Sequence, residues 1–345
     1  MSQPDRSGAK SVRSRSHARR LEFSVEWPPG HAAAYLLPRE EPILVDAGMT
    51  GEAGAEELVD GLEAHGYRPA DVEHLLLTHA HSDHVGQTRT LLEASDGEVT
   101  VYAPRRIRSF LRRDPETVEA ATRENMREAG VPDEHLEEGV ERLVDAHRRM
   151  REALPLEAVD VWIDEGESIR VGDLEVEPIY TPGHHLTHFC YGTTLEADDG
   201  TSGPDDAHER VLFSGDMVIE PFRAAAIHAN FDEGVAAGIS AFLEALERFD
   251  AGSYDRVYPG HGPVHDRFEE SVERSFADLD ERVRGSYDAL RADGSTAFHV
   301  AAELSDRPSH RARILPEIVG ALAHLEREGE VCSRLEDGVR FYEPV

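Results

Sequence analysis

Short apolar runs alternate with amphipathic stretches over the first two thirds of the chain. Strands bounded by turn residues are predicted at 21–25, 34–37, 42–48, 72–77, 100–103, 161–163, 167–171, 174–180, 211–213 and 256–258. Helices are predicted at about 52–65 and about 84–94. Because strands and helices alternate, this part of the chain is expected to form an α/β domain of packed layers.

Residues 105–155 interrupt this alternation with helical sequence. Asp114 and Pro115 are typical of a helix start, and Gly130 is typical of the end of that helix. A second helix is predicted from about Asp133 to Leu154. We interpret the segment as a helical insertion that forms a lid or wall beside a functional site.

After residue 267 the strand pattern nearly stops. Helices are predicted near 268–292, 296–304 and 315–327, followed by a hairpin of strands 331–335 and 339–342. Three helices and a hairpin have the outline of a winged helix. The predicted organisation is a disordered basic tail at 1–20, a main domain at 21–266 and a small winged-helix-like domain at 267–345, whose role in packing, dimerisation or binding stays open.

Charge changes this picture only at the surface. The 345 residues include 36 Lys and Arg against 69 Asp and Glu, which gives a formal net charge of −33. The acidic residues are spread along the chain, which favours adaptation to concentrated salt over a single acidic patch for a basic partner. Lys10 is the only lysine, so a Walker A phosphate-binding loop is excluded.

Cysteine usage and hydropathy bear on the compartment. The two cysteines, Cys190 and Cys332, are too few for a disulfide framework and do not have metal-binding spacing. No apolar run approaches membrane-spanning length, and no hydrophobic stretch follows the basic N-terminus as a signal peptide requires. We therefore expect a soluble cytoplasmic protein without a membrane partner. The sequence predicts no oligomeric state.

A cluster of metal-binding side chains follows one apolar strand. The run Thr78-His79-Ala80-His81-Ser82-Asp83-His84 comes directly after Leu75-Leu76-Leu77. In extended chain the period of two places His79 and His81 on one side, and the turn into the next helix can bring Asp83 and His84 to a second position. Imidazole and carboxylate are ligands that suit Zn²⁺, so this run predicts a metal site.

Further donors follow three later strands, as a second metal position would require. They are His184 in Thr181-Pro182-Gly183-His184, Asp216 in Ser214-Gly215-Asp216, and His261 in Pro259-Gly260-His261-Gly262. A glycine adjoins each donor, which is typical of places where the backbone approaches a site closely or turns sharply.

Together these elements resemble the metallo-β-lactamase superfamily. The T-H-x-H-x-D-H, T-P-G-H, S-G-D and P-G-H-G elements occur in the family's order, and Asp46 in Leu44-Val45-Asp46-Ala47-Gly48 matches a further recurrent aspartate. The resemblance covers roughly residues 21–266. It implies a four-layer αββα sandwich with the metal ions at one edge between two sheets.

The resemblance also implies the ligands. His79, His81 and His184 would hold one metal ion, Asp83, His84 and His261 the other, and Asp216 would bridge them. Asp46 would orient a ligand without binding metal. Two Zn²⁺ per chain are expected, with iron or manganese as alternatives, and Asp83 and Asp216 are the predicted catalytic residues. Water shared by two cations loses a proton near neutral pH and becomes the nucleophile.

One loop departs from the family pattern. After His184 the family usually has a small hydroxyl residue and then, two positions on, a glycine before a second histidine. Here the run is His185-Leu186-Thr187-His188, in which His188 matches the second histidine and is interpreted as structural. His185 is interpreted as a packed or solvated histidine, and a role as an extra ligand or substrate contact is the less favoured alternative.

Three functions agree with these motifs. The favoured one is hydrolysis of a small thioester, ester or lactone, as in the glyoxalase II-like branch, where β-lactamase-like proteins also have a helical insertion and a C-terminal winged helix. RNA cleavage is less favoured, because only 44 residues separate Asp216 from His261 and cannot hold the insertion of RNA-processing relatives. The third is a sulfur dioxygenase with a single iron, since such relatives have a similar first motif.

Overall fold

The computed structural model describes residues 18–196, 208–249 and 252–345. Most of the predicted N-terminal tail, residues 1–17, lies outside this part of the chain. The first strand begins at Arg19, two residues before the predicted start of ordered structure, because Arg19 and Arg20 pair with Leu36 and Tyr35. The prediction that the tail extends to residue 20 is therefore wrong at its last two residues.

The strands and helices follow closely the order predicted from sequence. The strands are β1 Arg19–Ser24, β2 His31–Leu37, β3 Ile43–Val45, β4 His74–Leu76, β5 Thr100–Pro104, β6 Val161–Ile163, β7 Ile169–Val171, β8 Leu174–Tyr180, β9 Phe189–Glu196, β10 His208–Gly215, β11 Arg256–Pro259, β12 Val331–Glu336 and β13 Val339–Pro344. The helices are α1 Glu52–Ala64, α2 Thr88–Ala94, α3 Arg105–Leu111, α4 Pro115–Glu128, α5 Asp133–Ala153, α6 Gly238–Leu246, α7 Phe268–Asp288, α8 Ala297–Leu304 and α9 Pro308–Glu328.

Two sheets form the centre of the molecule. One has six strands in the order β1-β2-β3-β4-β5-β6, and the other has five in the order β11-β10-β9-β8-β7. Strands β3 to β6 run parallel to one another, as do β10 and β11. Parallel neighbours end at the same edge of a sheet, so the loops after β3 and β4, and those after β10 and β11, lie side by side.

Alternating side chains along the strands build the layers. In β3, Val45 packs between the two sheets with Tyr35 and Phe213, whereas Leu44 faces Leu58 and Leu62 of α1. The outer face of the second sheet packs against α6 and α7 through the buried side chains of Leu212, Val257, Phe242 and Leu279. The layers are therefore helix, sheet, sheet and helix, and the prediction of an αββα sandwich is confirmed.

The helical insertion and the C-terminal helices share one hydrophobic core. Met126 of α4 and Val140 of α5 are buried together with Val300 of α8 and Ile318 of α9. The three C-terminal helices and the hairpin β12–β13 are present as expected, and α9 begins seven residues before its predicted start. The winged-helix assignment and the boundary at 266/267 stay predictions, since residues on both sides of that boundary contribute to the same cores.

Three elements have no counterpart in the sequence prediction: α3, β9 and α6. Strand β9 follows the His184 loop directly, without a glycine or proline to mark its start. Helix α6 did offer a signal, because Ile239, Phe242, Leu243 and Leu246 recur at helical spacing. In the part of the chain that is described, every helix is too short or too polar to span a membrane.

Candidate metal centre

The predicted donors meet at one edge of the two sheets because five strands end there. Strand β3 leads to Asp46 and β4 leads to the run that begins at Thr78. In the second sheet, β8, β10 and β11 lead to His184, Asp216 and His261. Strands β8 and β10 are each antiparallel to β9, so they run in the same direction and end at the same edge. The structure thus brings together all seven predicted ligands.

The first group consists of His79, His81, His184 and Asp216, whose ligand atoms lie within 4.8 Å of one another. The Nε2 atoms of His79 and His184 each lie 3.0 Å from Nδ1 of His81. Nitrogen ligands about 2.0–2.1 Å from one tetrahedral ion would be about 3.3 Å apart, close to this spacing. Three imidazole nitrogens that converge in this way fit a shared cation.

The second group consists of Asp83, His84 and His261, whose ligand atoms also lie within 4.8 Å of one another. Oδ2 of Asp83 is 3.4 Å from Nε2 of His261. Asp216 links the two groups: its Oδ2 is 3.1 Å from Nε2 of His184 and 3.2 Å from Nε2 of His261, and its Oδ1 is 3.3 Å from Nε2 of His84. This is the position expected of a bridging carboxylate.

Two buried atoms at the centre of the cluster test whether a metal fits. Nε2 of His84 and Oδ1 of Asp216 are buried and have no hydrogen-bond partner. An unsatisfied buried polar atom costs about 1–3 kcal/mol, so such atoms call for an explanation. A cation bound between His84 and Asp216 would satisfy both. The donor set of imidazole and carboxylate therefore fits a pair of divalent metal ions.

Hydrogen bonds on the far side of the imidazole rings fix which nitrogen faces the cluster. Nδ1 of His184 donates to the carbonyl oxygen of Ala225 at 2.9 Å, and Nδ1 of His261 donates to that of His31 at 2.6 Å. Nδ1 of His84 donates to Oδ2 of Asp46 at 2.8 Å. Since Nδ1 donates outward in each ring, Nε2 is the nitrogen that faces the cluster and would bind a metal ion.

Asp46 is held by the strand ends around it. Its carboxylate accepts the backbone N–H of Thr78 at 2.8 Å and the Thr78 hydroxyl at 2.8 Å, in addition to His84. Its backbone has a φ of 61°, a conformation that non-glycine residues rarely adopt and that is concentrated at functional sites. Asp46 thus orients His84 without joining the ligand groups, as the sequence resemblance implied.

We predict that Asp46→Asn weakens metal binding about 10- to 100-fold, because His84 loses the anion that fixes its ring orientation. Competition with a chromophoric chelator measures the affinity. Asp71→Asn, at a surface aspartate that caps a short helical turn, is the control and should leave the affinity unchanged. Equal affinities for wild type and Asp46→Asn would show that Asp46 has no part in the site.

Burial and charge act in opposite directions on these side chains. Burial lowers the pKa of His81 to about 3, so its ring is neutral and able to coordinate a metal. Burial also disfavours charge on His261, but the carboxylates of Asp216 and Asp83 outweigh it and raise the pKa of His261 to about 10. Burial would raise the pKa of Asp83, whereas His84 and His261 hold it at about 2. The negative charges of Asp83 and Asp216, which favour a protonated His261, would also attract metal cations.

At two positions beside the ligands there is room only for glycine, because a larger residue would collide with neighbouring side chains. A Cβ atom on Gly260 would lie 2.5 Å from Oδ1 of Asp216 and 2.6 Å from Cε1 of His84. A Cβ atom on Gly215 would lie 2.5 Å from Nε2 of His188. That nitrogen accepts the backbone N–H of Asp216 at 3.0 Å, so His188 holds the loop that presents the bridging carboxylate. Its interpretation as a structural residue agrees with this contact.

His185 is packed rather than free to coordinate. It is buried, its Nδ1 lies 2.8 Å from the Thr187 hydroxyl, and its ring packs against those of His81 and Phe110. His147 and His228 also line a small cavity that reaches His81, although the sequence offered no reason to place them there. Helix α5, which carries His147, forms a wall beside the site, in agreement with the interpretation of the insertion.

Comparison with known protein families agrees with this geometry. The family model of the metallo-beta-lactamase superfamily matches residues 27–196. Over these residues the chain is similar to proteins of this superfamily. The matched residues include the first five of the seven ligands in chain order, and the last two, Asp216 and His261, lie beyond them but converge on the same cluster.

Several known proteins are similar to this chain in sequence or in fold. The chain is 25% identical over 245 residues to the beta-lactamase-like protein 2 homolog of Caenorhabditis elegans, covering 69% of this chain and 58% of that protein. It is 23% identical over 248 residues to the lactamase-like protein nscB of Aspergillus fumigatus, covering 72% and 52%. The chain thus spans little more than half the length of these relatives. A metallo-beta-lactamase family protein from Thermus thermophilus has a similar fold, with a TM-score of 0.73, 22% identity and coverage of 95% and 98%.

Proposed function

We propose that the chain is a hydrolase that uses two zinc ions to cleave a small thioester, ester or lactone. The observation that carries this proposal is the placement of Asp216 between two groups of metal-binding side chains, within 3.1–3.3 Å of an imidazole nitrogen from each. When bound there, the metal ions would supply Lewis-acid chemistry that activates water and polarises the attacked carbonyl.

The residues around the cluster have roles that follow from their charge. Asp83 is a carboxylate at neutral pH, because its pKa is held at about 2, and can accept a hydrogen bond from the attacking water. Asp216 keeps the two ligand groups together. Cys190 is fully buried and burial raises the pKa of its thiol to about 12, so this residue does not supply a nucleophile.

An open cavity of about 660 Å³ gives a small molecule access to the cluster, and we name it the metal-site cavity. Its lining includes five of the ligand residues, His81, Asp83, His184, Asp216 and His261. Its volume lies in the range of small-molecule sites, which is about 300–1,000 Å³. Its size and its opening support a small-molecule substrate over a folded macromolecule.

Metal analysis of the purified protein, in concentrated KCl and without added metal, tests this proposal. We expect about two zinc ions per chain, and we expect hydrolysis of a panel of thioesters, esters and lactones. Removal of the metal by a chelator should abolish hydrolysis, and added zinc should restore it. Untreated protein carried through the same buffer exchanges is the control.

Other outcomes would contradict the proposal in distinct ways. About one iron per chain, together with thiol-dependent oxygen uptake, would indicate a sulfur dioxygenase. RNA cleavage by wild type but not by Asp216→Ala would indicate a nuclease. Protein without tightly bound metal, inactive on every substrate, would remove the basis for metal-dependent catalysis.

A further inference from the structure

A second cavity, of about 670 Å³, lies beside the metal-site cavity. We name it the apolar groove, and six of its lining residues are Trp27, Leu143, Ile227, Phe231, Phe298 and Leu315. We propose that the groove binds an apolar acyl chain of the substrate while the carbonyl group lies at the metal cluster. This rests on the proposed function and specifies its substrate class as acyl esters or thioesters with an apolar hydrocarbon chain.

The two cavities adjoin. Trp27, Ile227, Asn230 and Arg313 line both of them, so one molecule can extend from the metal cluster into the groove without leaving the protein surface. Trp27 lies in the loop between β1 and β2, and the segment that holds Ile227 and Asn230 lies between β10 and α6. The junction is therefore formed by loops close to the ligand-bearing strand ends.

The floor of the groove has the composition of a binding site for hydrocarbon. Phe231 and Leu315 are almost fully buried, and Leu143, Ile227 and Phe298 are partly buried. Charged side chains, among them Glu138, Arg142 and Arg311, complete the lining. An apolar interior with a few charged groups is typical of pockets that hold hydrophobic ligands.

The groove is too large to be a packing defect of the core. Protein interiors are close-packed, and voids larger than a water molecule are few. The rest of the surface avoids apolar exposure: among the described residues the exposed large hydrophobic side chains are Trp27, Leu335 and Val345. Trp27, at the junction of the cavities, therefore stands out on a chain with a net charge of −33.

One wall of the metal-site cavity does not suit a hydrocarbon. Arg223, Arg282 and Glu317 line it, and Glu317 forms ion pairs with both arginines. Placing an apolar chain against these groups would displace water from them without replacing its hydrogen bonds. The polar leaving group of the substrate is accordingly assigned to this wall, and the acyl chain to the groove.

Binding of carboxylates tests the groove, because a carboxylate is the acid product of acyl hydrolysis. The series is butanoate, hexanoate, octanoate and decanoate, measured by calorimetry on the zinc-loaded protein. We expect the affinity to rise about fourfold for each added methylene group until the groove is full. Hydrolysis of the p-nitrophenyl esters of the same acids should show a matching rise in kcat/KM.

A substitution that fills the groove tests whether the acyl chain binds there or on other apolar surface. Ala312 of α9 lines the groove and is half-buried. We expect Ala312→Phe to weaken octanoate binding at least about tenfold while butanoate binding changes less than about twofold. Ala302→Phe is the matched control, because Ala302 is a half-buried alanine on α8 that does not line the groove, and it should leave the series unchanged.

The outcomes separate this inference from the proposed function. Ester hydrolysis that does not depend on chain length, together with carboxylate affinities that stay flat, would overturn the groove but leave the hydrolase in place. Affinities that rise with chain length and respond to Ala312→Phe, in a protein that hydrolyses none of the thioesters, esters and lactones, would support the groove and contradict the hydrolase. An equal effect of Ala302→Phe and Ala312→Phe would also overturn the groove.

Discussion

Replacing Asp216 with asparagine is expected to lower kcat/KM by about a thousandfold or more, since the loss of several kcal/mol of charge stabilisation has that effect on rate. The Asp216 carboxylate lies against His84, His184 and His261. Asparagine keeps the shape of the side chain but removes the negative charge, so both metal positions lose a shared ligand. We expect wild type to hold about two zinc ions per chain and Asp216→Asn to hold fewer.

Elemental analysis and the ester panel measure the two effects on the same preparation. Asp160→Asn is the control: Asp160 accepts one backbone N–H, from Val101, and lies outside the ligand groups, so it should retain metal and activity. Circular dichroism checks that Asp216→Asn is folded. A folded Asp216→Asn protein with wild-type activity would exclude a role for this residue at the reaction centre.

The ligand side chains could be predicted from the sequence because their signal is local. The run from His79 to His84 follows an apolar strand and contains four donors, and His184, Asp216 and His261 each stand beside a glycine that follows a strand. Gly260 shows why that association is informative, since a side chain there would collide with Asp216 and His84. The alternation of strands and helices predicts a layered α/β domain, and the resemblance to the metallo-β-lactamase superfamily implies the αββα order of the layers.

The groups that orient His184 and His261 could not be predicted, because they are backbone carbonyl groups. His184 and His261 are oriented by the backbone carbonyls of Ala225 and His31. Every residue has a carbonyl, so only the folded loop shows which ones face an imidazole. The apolar groove is equally invisible in the sequence, because its walls come from segments as distant as Trp27, Leu143 and Leu315.

The buried ion-pair cluster around Glu317 is a further feature that sequence could not reveal. In a chain with 69 acidic residues, nothing marks one glutamate on an amphipathic helix as special. Glu317 is 2% exposed, its Oε1 lies 2.8 Å from Nη2 of Arg223, and its Oε2 lies 2.6 Å from Nε of Arg282. Oε1 also accepts the backbone N–H of Ala226 at 2.9 Å. Helices α7 and α9 are thus joined to the loop that follows the bridging aspartate.

We expect Glu317→Gln to reduce the free energy of unfolding by about 3–5 kcal/mol, because it leaves two arginines partly buried without a counter-charge. Urea denaturation at neutral pH measures the loss. Glu303→Gln is the matched control: Glu303 is paired with Arg291 on the surface, where both side chains are more than half exposed, and the variant should stay within about 1 kcal/mol of wild type.

The pH dependence distinguishes lost charge pairing from altered packing at position 317. Burial would raise the pKa of Glu317, but Arg223 and Arg282 hold it below the ordinary value of 4.5. A carboxyl group with a lowered native pKa stabilises the fold above its unfolded pKa, and this contribution is lost as the pH falls through the native pKa. The stability difference between wild type and Glu317→Gln should therefore be constant above about pH 4.5 and shrink below it. A difference that stays the same at lower pH would assign the effect to packing and contradict the ion-pair explanation.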